Sequence, residues 1–144
     1  MRFADLADAG RRLADVLTDD VVVDALVVSV PPRGVQVGIA VGVALGREVT
    51  PLVIRRDADG VSVEVPLDVA GRRVVVVADG VETGTAARAV AAALRESGAA
   101  YLVLAVPVCP REVEAGLRQR YDDVIAVTRP LARRSLRWHY ETFA

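Results

Sequence analysis

Residues Val74–Ala86 read VVVVADGVETGTA, and this stretch decides the fold. Four consecutive β-branched residues suit a strand covered on both faces, as in the interior of a parallel sheet. Ala78-Asp79-Gly80 ends the run, and from Thr83 an alanine-rich helical stretch reaches Glu96 before Ser97-Gly98 stops it. A helix entered this way presents unpaired N–H groups and partial positive charge at its N-terminus, an anion site by construction.

The flanking sequence repeats the alternation. Phe3, Leu6, Leu13, Val16 and Leu17 fit an amphipathic opening helix, and Ala25–Val30 reads as a buried strand closed by Pro31-Pro32. A second helix is predicted over Val35–Leu45, with Gly46 as its C-cap and Gly38 and Gly42 marking close approach to a sheet. Val49–Ile54 is the next strand, and Val61, Val63 and Val65 alternate with polar residues as a half-exposed strand should. Downstream come a strand at Tyr101–Val106, a helix at Arg111–Arg120 and a short strand at Val124–Val127. Buried strands alternating with helices define one α/β domain over residues 1–144, an open, mostly parallel sheet with helices on both faces.

Composition narrows the chemistry. The 144 residues are 53% hydrophobic and 26% charged, with a net charge of −1, which is neither a disordered chain nor a basic nucleic-acid binder. All 18 cationic residues are arginine, so Schiff-base and Walker A lysines are excluded. One cysteine (Cys109) and one histidine (His139) exclude a disulfide framework and a Cys- or His-rich zinc site. Apolar runs are too short to span a bilayer, and Asp5 and Asp8 interrupt any signal-like start, so a cytoplasmic protein is expected. Carboxylates, threonine hydroxyls, arginines and backbone N–H groups remain, a set suited to phosphate-bearing ligands.

In an open parallel sheet, ligands bind beyond the carboxyl ends of the strands. Two strand ends stand out. In Asp79-Gly80-Val81-Glu82-Thr83-Gly84-Thr85, the glycines let the backbone approach a ligand and the threonines supply hydroxyls. Asp79 suits either the two hydroxyls of a ribose or a magnesium ion held through water. The plainer alternative is that Thr and Asp serve here as helix caps. In Val30-Pro31-Pro32-Arg33-Gly34, the prolines fix a turn and Arg33 offers a fork of donors matched to phosphate oxygens. The alternative there is a surface turn with a solvated arginine.

Val74–Ala86 resembles the phosphoribosyl pyrophosphate (PRPP) signature of type I phosphoribosyltransferases, and Val28–Val37 (VSVPPRGVQV) resembles the P-R-G-G turn of one bacterial branch. Phe3, Ala9–Leu13, Leu104–Val108, Tyr140 and Phe143 extend the resemblance over nearly the whole chain. The resemblance implies that fold, with a small hood built from the chain termini, and transfer of ribose 5-phosphate from PRPP to a nucleobase or similar nitrogen heterocycle. It implies that Asp79 is the catalytic residue, binding ribose with Gly80, directly or through magnesium, and holding that magnesium directly or through water. Glu82, Thr83, Gly84 and Thr85 would cradle the 5′-phosphate, and Pro32, Arg33 and Gly34 would face pyrophosphate. Arg55 and Arg56 stand where the branch has a lid pair. The implied partners are PRPP or a nucleoside 5′-monophosphate and a second copy of the chain, with neither nucleic acid nor membrane.

The sequence departs from the pattern at Ala78, where the family has a first acid, at Val35, where it has a second glycine, and at Ala86, where it has a hydroxyl. A β-branched residue resists positive φ, so the turn at Val35 is expected to differ. Asp57–Gly60 leaves little chain for a lid. These departures carry the alternative of a non-catalytic phosphoribosyl- or nucleotide-binding regulator. Cys109 reads as a packed hydrophobe, and Trp138, Tyr140 and Phe143 as anchors of the C-terminal segment. Arg129–Ala144 reads as a solvated or subunit-contacting face, and Glu112 and Glu114 as exposed.

Overall fold

A computed structural model describes residues 1–144. Five parallel strands form the main sheet: β1 (Ala25–Ser29), β2 (Val49–Pro51), β5 (Arg73–Val77), β6 (Tyr101–Val108) and β7 (Asp123–Thr128), in the order β2-β1-β5-β6-β7. β3 (Val53–Asp57) and β4 (Gly60–Glu64) form a separate antiparallel hairpin. The helices are α1 (Leu6–Val16), the short α2 (Asp19–Val22), α3 (Gly34–Leu45), α4 (Thr85–Glu96) and α5 (Arg111–Arg118), and a 3₁₀ turn spans Leu136–His139.

The four valines explain the layering. Side chains alternate across a strand, and all four are fully buried. Val74 and Val76 pack with Val90, Leu94 and Leu117 of α4 and α5, whereas Val75 and Val77 pack with Leu6, Leu13, Val37 and Val41 of α1 and α3. β6 divides the same way, Leu102 and Leu104 to one side, Val103 and Ala105 to the other. A run of valines with no polar position is what two covered faces require.

Four local differences from the sequence-based expectation have physical causes. The strand expected over Val49–Ile54 splits, because β1 ends at Ser29 opposite Pro51 and offers no further partner. Leu52 turns inward, donating its N–H to the Ser29 carbonyl at 2.9 Å, and the chain then pairs with itself as the hairpin. That hairpin, not a bare four-residue loop, projects from the region expected to leave little chain for a lid. Val35 shows no strain, since it already lies inside α3 and the preceding Arg33 has right-handed φ −81° and ψ −26°. β6 runs on through Pro107 to Val108, beyond Ala105, the last residue in register with β5.

The two chain ends meet. Phe3 bridges in parallel to Tyr140, with Phe3 N–H donating to the His139 carbonyl at 2.7 Å and Glu141 N–H to the Phe3 carbonyl at 2.8 Å. This is the small hood expected from the termini. Arginines between Arg129 and Ala144 are engaged within the chain: Arg129 pairs with Glu114 at 2.7 Å and Arg134 lies 4.4 Å from the Trp138 ring. Glu114 is accordingly half-buried and not the exposed residue expected. No helix is long and apolar enough to cross a membrane.

α1 and α3 approach closely at Gly10, where a Cβ would sit 2.5 Å from the Val37 carbonyl oxygen and 2.6 Å from Ala40 Cβ. Backbone on the facing side cannot rotate away. Gly10→Ala is therefore expected to lower stability by about 1–3 kcal/mol in urea titration, despite alanine's better helix propensity.

Candidate functional site

The strand order reverses between β1 and β5: from β1 the chain goes outward to β2, then returns past β1 to lay down β5, β6 and β7. Their parallel register sets Ser29 opposite Val77, so the segments that follow, Val30–Arg33 and Ala78–Gly84, lie side by side beyond the carboxyl edge. A cavity of about 270 Å³ opens there. Its walls include Pro31, Pro32 and Arg33 from the first segment, Ala78 to Gly84 from the second, and Thr85, Ala86 and Ala87 from the first turn of α4. Leu104, Leu136 and Arg56 complete it.

Sequence-based candidates mostly converge on this cavity. Asp79, Gly80, Glu82, Thr83, Gly84, Thr85, Pro32, Arg33 and Arg56 line it. Gly34 and Arg55 do not. Gly34 lies under the end of β5, where a Cβ would come 3.1 Å from Ala78 Cα, so it lets α3 start against the sheet. Arg55 points along the hairpin toward Glu64, 3.8 Å away. Pairing in a two-stranded ribbon sends successive side chains to opposite faces, which separates Arg56 from Arg55.

The loop before α4 is built as an anion cradle. Gly84 is the N-cap, with φ 86°, a left-handed conformation that suits glycine. No side chain caps the helix; Thr83 and Thr85 place their hydroxyl oxygens 3.2 Å apart instead. The cap explanation for these threonines therefore fails. The N–H groups of Thr85, Ala86 and Ala87 have no acceptor in the chain, and the helix dipole adds to their pull on an anion. Arg88 shapes the loop from behind, donating to the Thr83 carbonyl at 3.0 Å. Glu82 takes a different part from its neighbours: its carboxylate accepts the Leu136 N–H at 2.6 Å and ties the C-terminal segment to the loop.

Asp79 is mostly withdrawn from water, and burial is the main cause that lifts its carboxyl from 3.8 to about 6. Arg33 and Arg56 pull it down, while Glu82 pushes it further up. The Tyr140 hydroxyl donates to its backbone carbonyl at 2.6 Å and pins the strand end. Cys109 and His139 lie outside the cavity. Burial pushes the Cys109 thiol up to about 11, consistent with an inert packed residue. His139 is buried against Trp138 with neither ring nitrogen bonded, and desolvation lowers its pKa.

No cluster of three acidic, histidine or cysteine side chains converges anywhere in the fold. Magnesium commonly takes one or two carboxylates and completes its shell with water and phosphate oxygens. With Ala78 beside it and Glu82 engaged by Leu136, Asp79 is a lone carboxylate that could give a magnesium ion one ligand beside water and ligand oxygens, not a preformed metal cage.

Four contributors were invisible to local pattern: Leu136, Tyr140, Phe143 and Arg88. The first three reach the site from the far end of the chain; Arg33 Nε, for instance, donates to the Phe143 carbonyl at 2.9 Å. Tyr140 and Phe143 were signalled by the resemblance and as aromatic anchors of the C-terminal segment, and Leu136 and Arg88 by nothing in the sequence.

No protein-family model matches the chain. Among solved structures, it superposes on TT1426 of Thermus thermophilus with a TM-score of 0.85 and 23% identity, covering 100% of this chain and 92% of that one. A purine phosphoribosyltransferase of Pyrococcus horikoshii gives 0.60 and 19%, with 88% of each chain covered. Glutamine PRPP amidotransferase of B. subtilis, complexed with ADP and GMP, gives 0.67 and 21% over 85% of this chain and 35% of that one. The class is thereby defined: an open α/β domain of the type I phosphoribosyltransferase fold.

The raised Asp79 pKa sets a pH dependence. The folded state holds this proton more tightly than the unfolded chain, so the group favours folding below 3.8 and loses that contribution as pH rises through about 6. Asp79→Asn is expected to melt at a higher temperature than the parent above pH ~6, and the gap should close in acid. Thermal denaturation across that range checks the sign.

Proposed function

We propose that this chain transfers ribose 5-phosphate between PRPP and a nucleobase or similar nitrogen heterocycle, as a magnesium-dependent phosphoribosyltransferase. One observation carries the reading. A single cavity joins a cradle of unbonded helix N–H groups and two hydroxyls, a desolvated acid, and two arginines. That is the charge pattern of a sugar bearing a phosphate at one end and a diphosphate at the other. The fold shared with solved hypoxanthine-guanine, purine and adenine phosphoribosyltransferases supports it.

In this reading the α4 amides with Thr83 and Thr85 hold the 5′-phosphate. Asp79 accepts from the ribose hydroxyls, with Gly80 giving the sugar room to approach. Arg33 and Arg56, beside Pro32, neutralise the pyrophosphate as it leaves with the electron pair of the anomeric C–O bond. The acceptor nitrogen forms the new bond to that carbon through an oxocarbenium-like state and sheds its proton to pyrophosphate or solvent. Magnesium, held by Asp79 together with ligand oxygens, supplies further charge neutralisation to the departing group. No residue has to act as a covalent nucleophile, which suits a chain without lysine and with an inert thiol.

A second reading rests on Ala78. With one carboxylate where the signature has two, the same cavity suits a regulator that binds PRPP or a nucleoside 5′-monophosphate without turnover. Titration calorimetry separates the possibilities. Under the enzyme reading, PRPP binds, magnesium strengthens it, Asp79→Asn weakens it by about tenfold or more, and a panel of bases yields pyrophosphate release. Monophosphate binding without pyrophosphate release from any base would establish the regulator, and failure of every phosphorylated ligand to bind would end both.

A further inference from the structure

Arg33 is held in an unusual way for a residue at the mouth of an anion site. Its Nε donates to the Phe143 carbonyl at 2.9 Å, and its guanidinium carbon lies 4.4 Å from the centre of the Phe143 ring. The ring is itself fixed. It stacks at 4.8 Å on Tyr140, which in turn sits 5.5 Å from Phe3 and donates its hydroxyl to the Asp79 carbonyl. Three aromatic rings thus form a ladder from the first β-bridge of the chain to the guanidinium. The backbone carbonyl and the ring face use Nε and one face of Arg33. Its two terminal nitrogens have no acceptor in the chain, and the side chain lines the cavity. A free arginine would sample many rotamers and lose that entropy each time an anion binds.

We propose that Phe143 is the positioning residue for Arg33: its ring and carbonyl lock the guanidinium so that the terminal fork faces the diphosphate end of the cavity. The inference rests on the phosphoribosyl-transfer reading, which assigns that end to pyrophosphate. It gives the C-terminal segment a role in affinity that acts through one side chain. The plainer alternative is that Phe143 only packs the chain end into place.

The test measures affinity for inorganic pyrophosphate and for AMP, both with magnesium, by calorimetry. Pyrophosphate reports the Arg33 end, whereas the AMP phosphate reports the α4 cradle. Phe143→Leu keeps an apolar side chain of similar bulk without the π face, and Phe143→Tyr keeps the face. The expected result is about 3- to 10-fold weaker pyrophosphate binding in Phe143→Leu, with AMP unchanged and Phe143→Tyr near the parent. In an Arg33→Ala background, Phe143→Leu should have no further effect, because its action runs through the missing guanidinium. Equal weakening of pyrophosphate and AMP, an undiminished pyrophosphate affinity in Phe143→Leu, or an additive loss in the Arg33→Ala background would overturn the proposal. A parent protein that binds AMP but not pyrophosphate, or neither, would instead remove the transfer reading on which it stands.

Discussion

The parallel pairing of β1 with β5 governs the molecule, because these are the two strands between which the winding of the sheet changes direction. Elsewhere in the sheet a strand-end loop is roofed by the helix that crosses to the next strand. Between β1 and β5 the two crossings diverge, α3 to one side and α4 to the other, and leave a crevice. Both strands must be buried on both faces for that crevice to be rigid, and the valine run of β5 meets the requirement with no polar residue. A slip of one residue would exchange one pair of valines for the other, so the register is marked by the ends of the run, with Arg73 opposite Ala25 at the outer end and Val77 opposite Ser29 at the inner one. The position of Asp79, two residues beyond Val77, follows directly from that register. So does the approach of Arg33 from the neighbouring strand end.

How much of this was legible in the sequence depends on the range of the interaction involved. The alternation of elements, the two strand ends and most site residues are local features, set by side-chain period, glycine and proline, and they could be read directly. The division of Val49–Ile54 was not, because its cause is the end of another strand at Ser29, some twenty residues earlier. Glu82 looked like one more member of the phosphate loop, yet its carboxylate is engaged by an N–H at Leu136. The separation of Arg55 from Arg56 required knowing that the chain folds into a hairpin there. Arg33 and Phe143 are the extreme case. An arginine in a turn and an aromatic near the chain end have no periodicity in common, and only the closed fold brings them together.

Stability and binding pull against each other at Asp79. A carboxylate drawn out of water is a cost that a purely structural residue would avoid, and no side chain in the protein donates a hydrogen bond to it. Part of the cost is offset by a hydrogen bond from its own backbone, and then by two cations acting through space, Arg33 from the turn and Arg56 from the hairpin. Such a site is poised for a ligand that brings its own counter-charges. The uncapped N-terminus of α4 obeys the same logic. Its amides are left without partners where a serine or aspartate cap was available to sequence variation, and the threonines beside it bond to each other. Polar groups withheld from internal partners on both sides of one cavity are better explained by a ligand than by folding.

The absent first acid fits this charge balance. Ala78 is buried at the end of β5 and lines the cavity beside Asp79. A second carboxyl there, adjacent to one already raised to about 6, would raise it again, since two neighbouring desolvated acids share a proton instead of both ionising. With alanine in that place, Asp79 ionises below neutral pH on its own. The cavity then carries two carboxylates, Asp79 and Glu82, against Arg33 and Arg56. Glu82 answers to the backbone of Leu136, and the α4 dipole adds partial positive charge at the other end. The side-chain charges cancel, and the unbonded amides at the start of α4 tip that end of the cavity toward an anion without any lysine. Under the proposed transfer reaction, the absent acid leaves more of the diphosphate's charge to Arg33, and so to whatever holds Arg33 still.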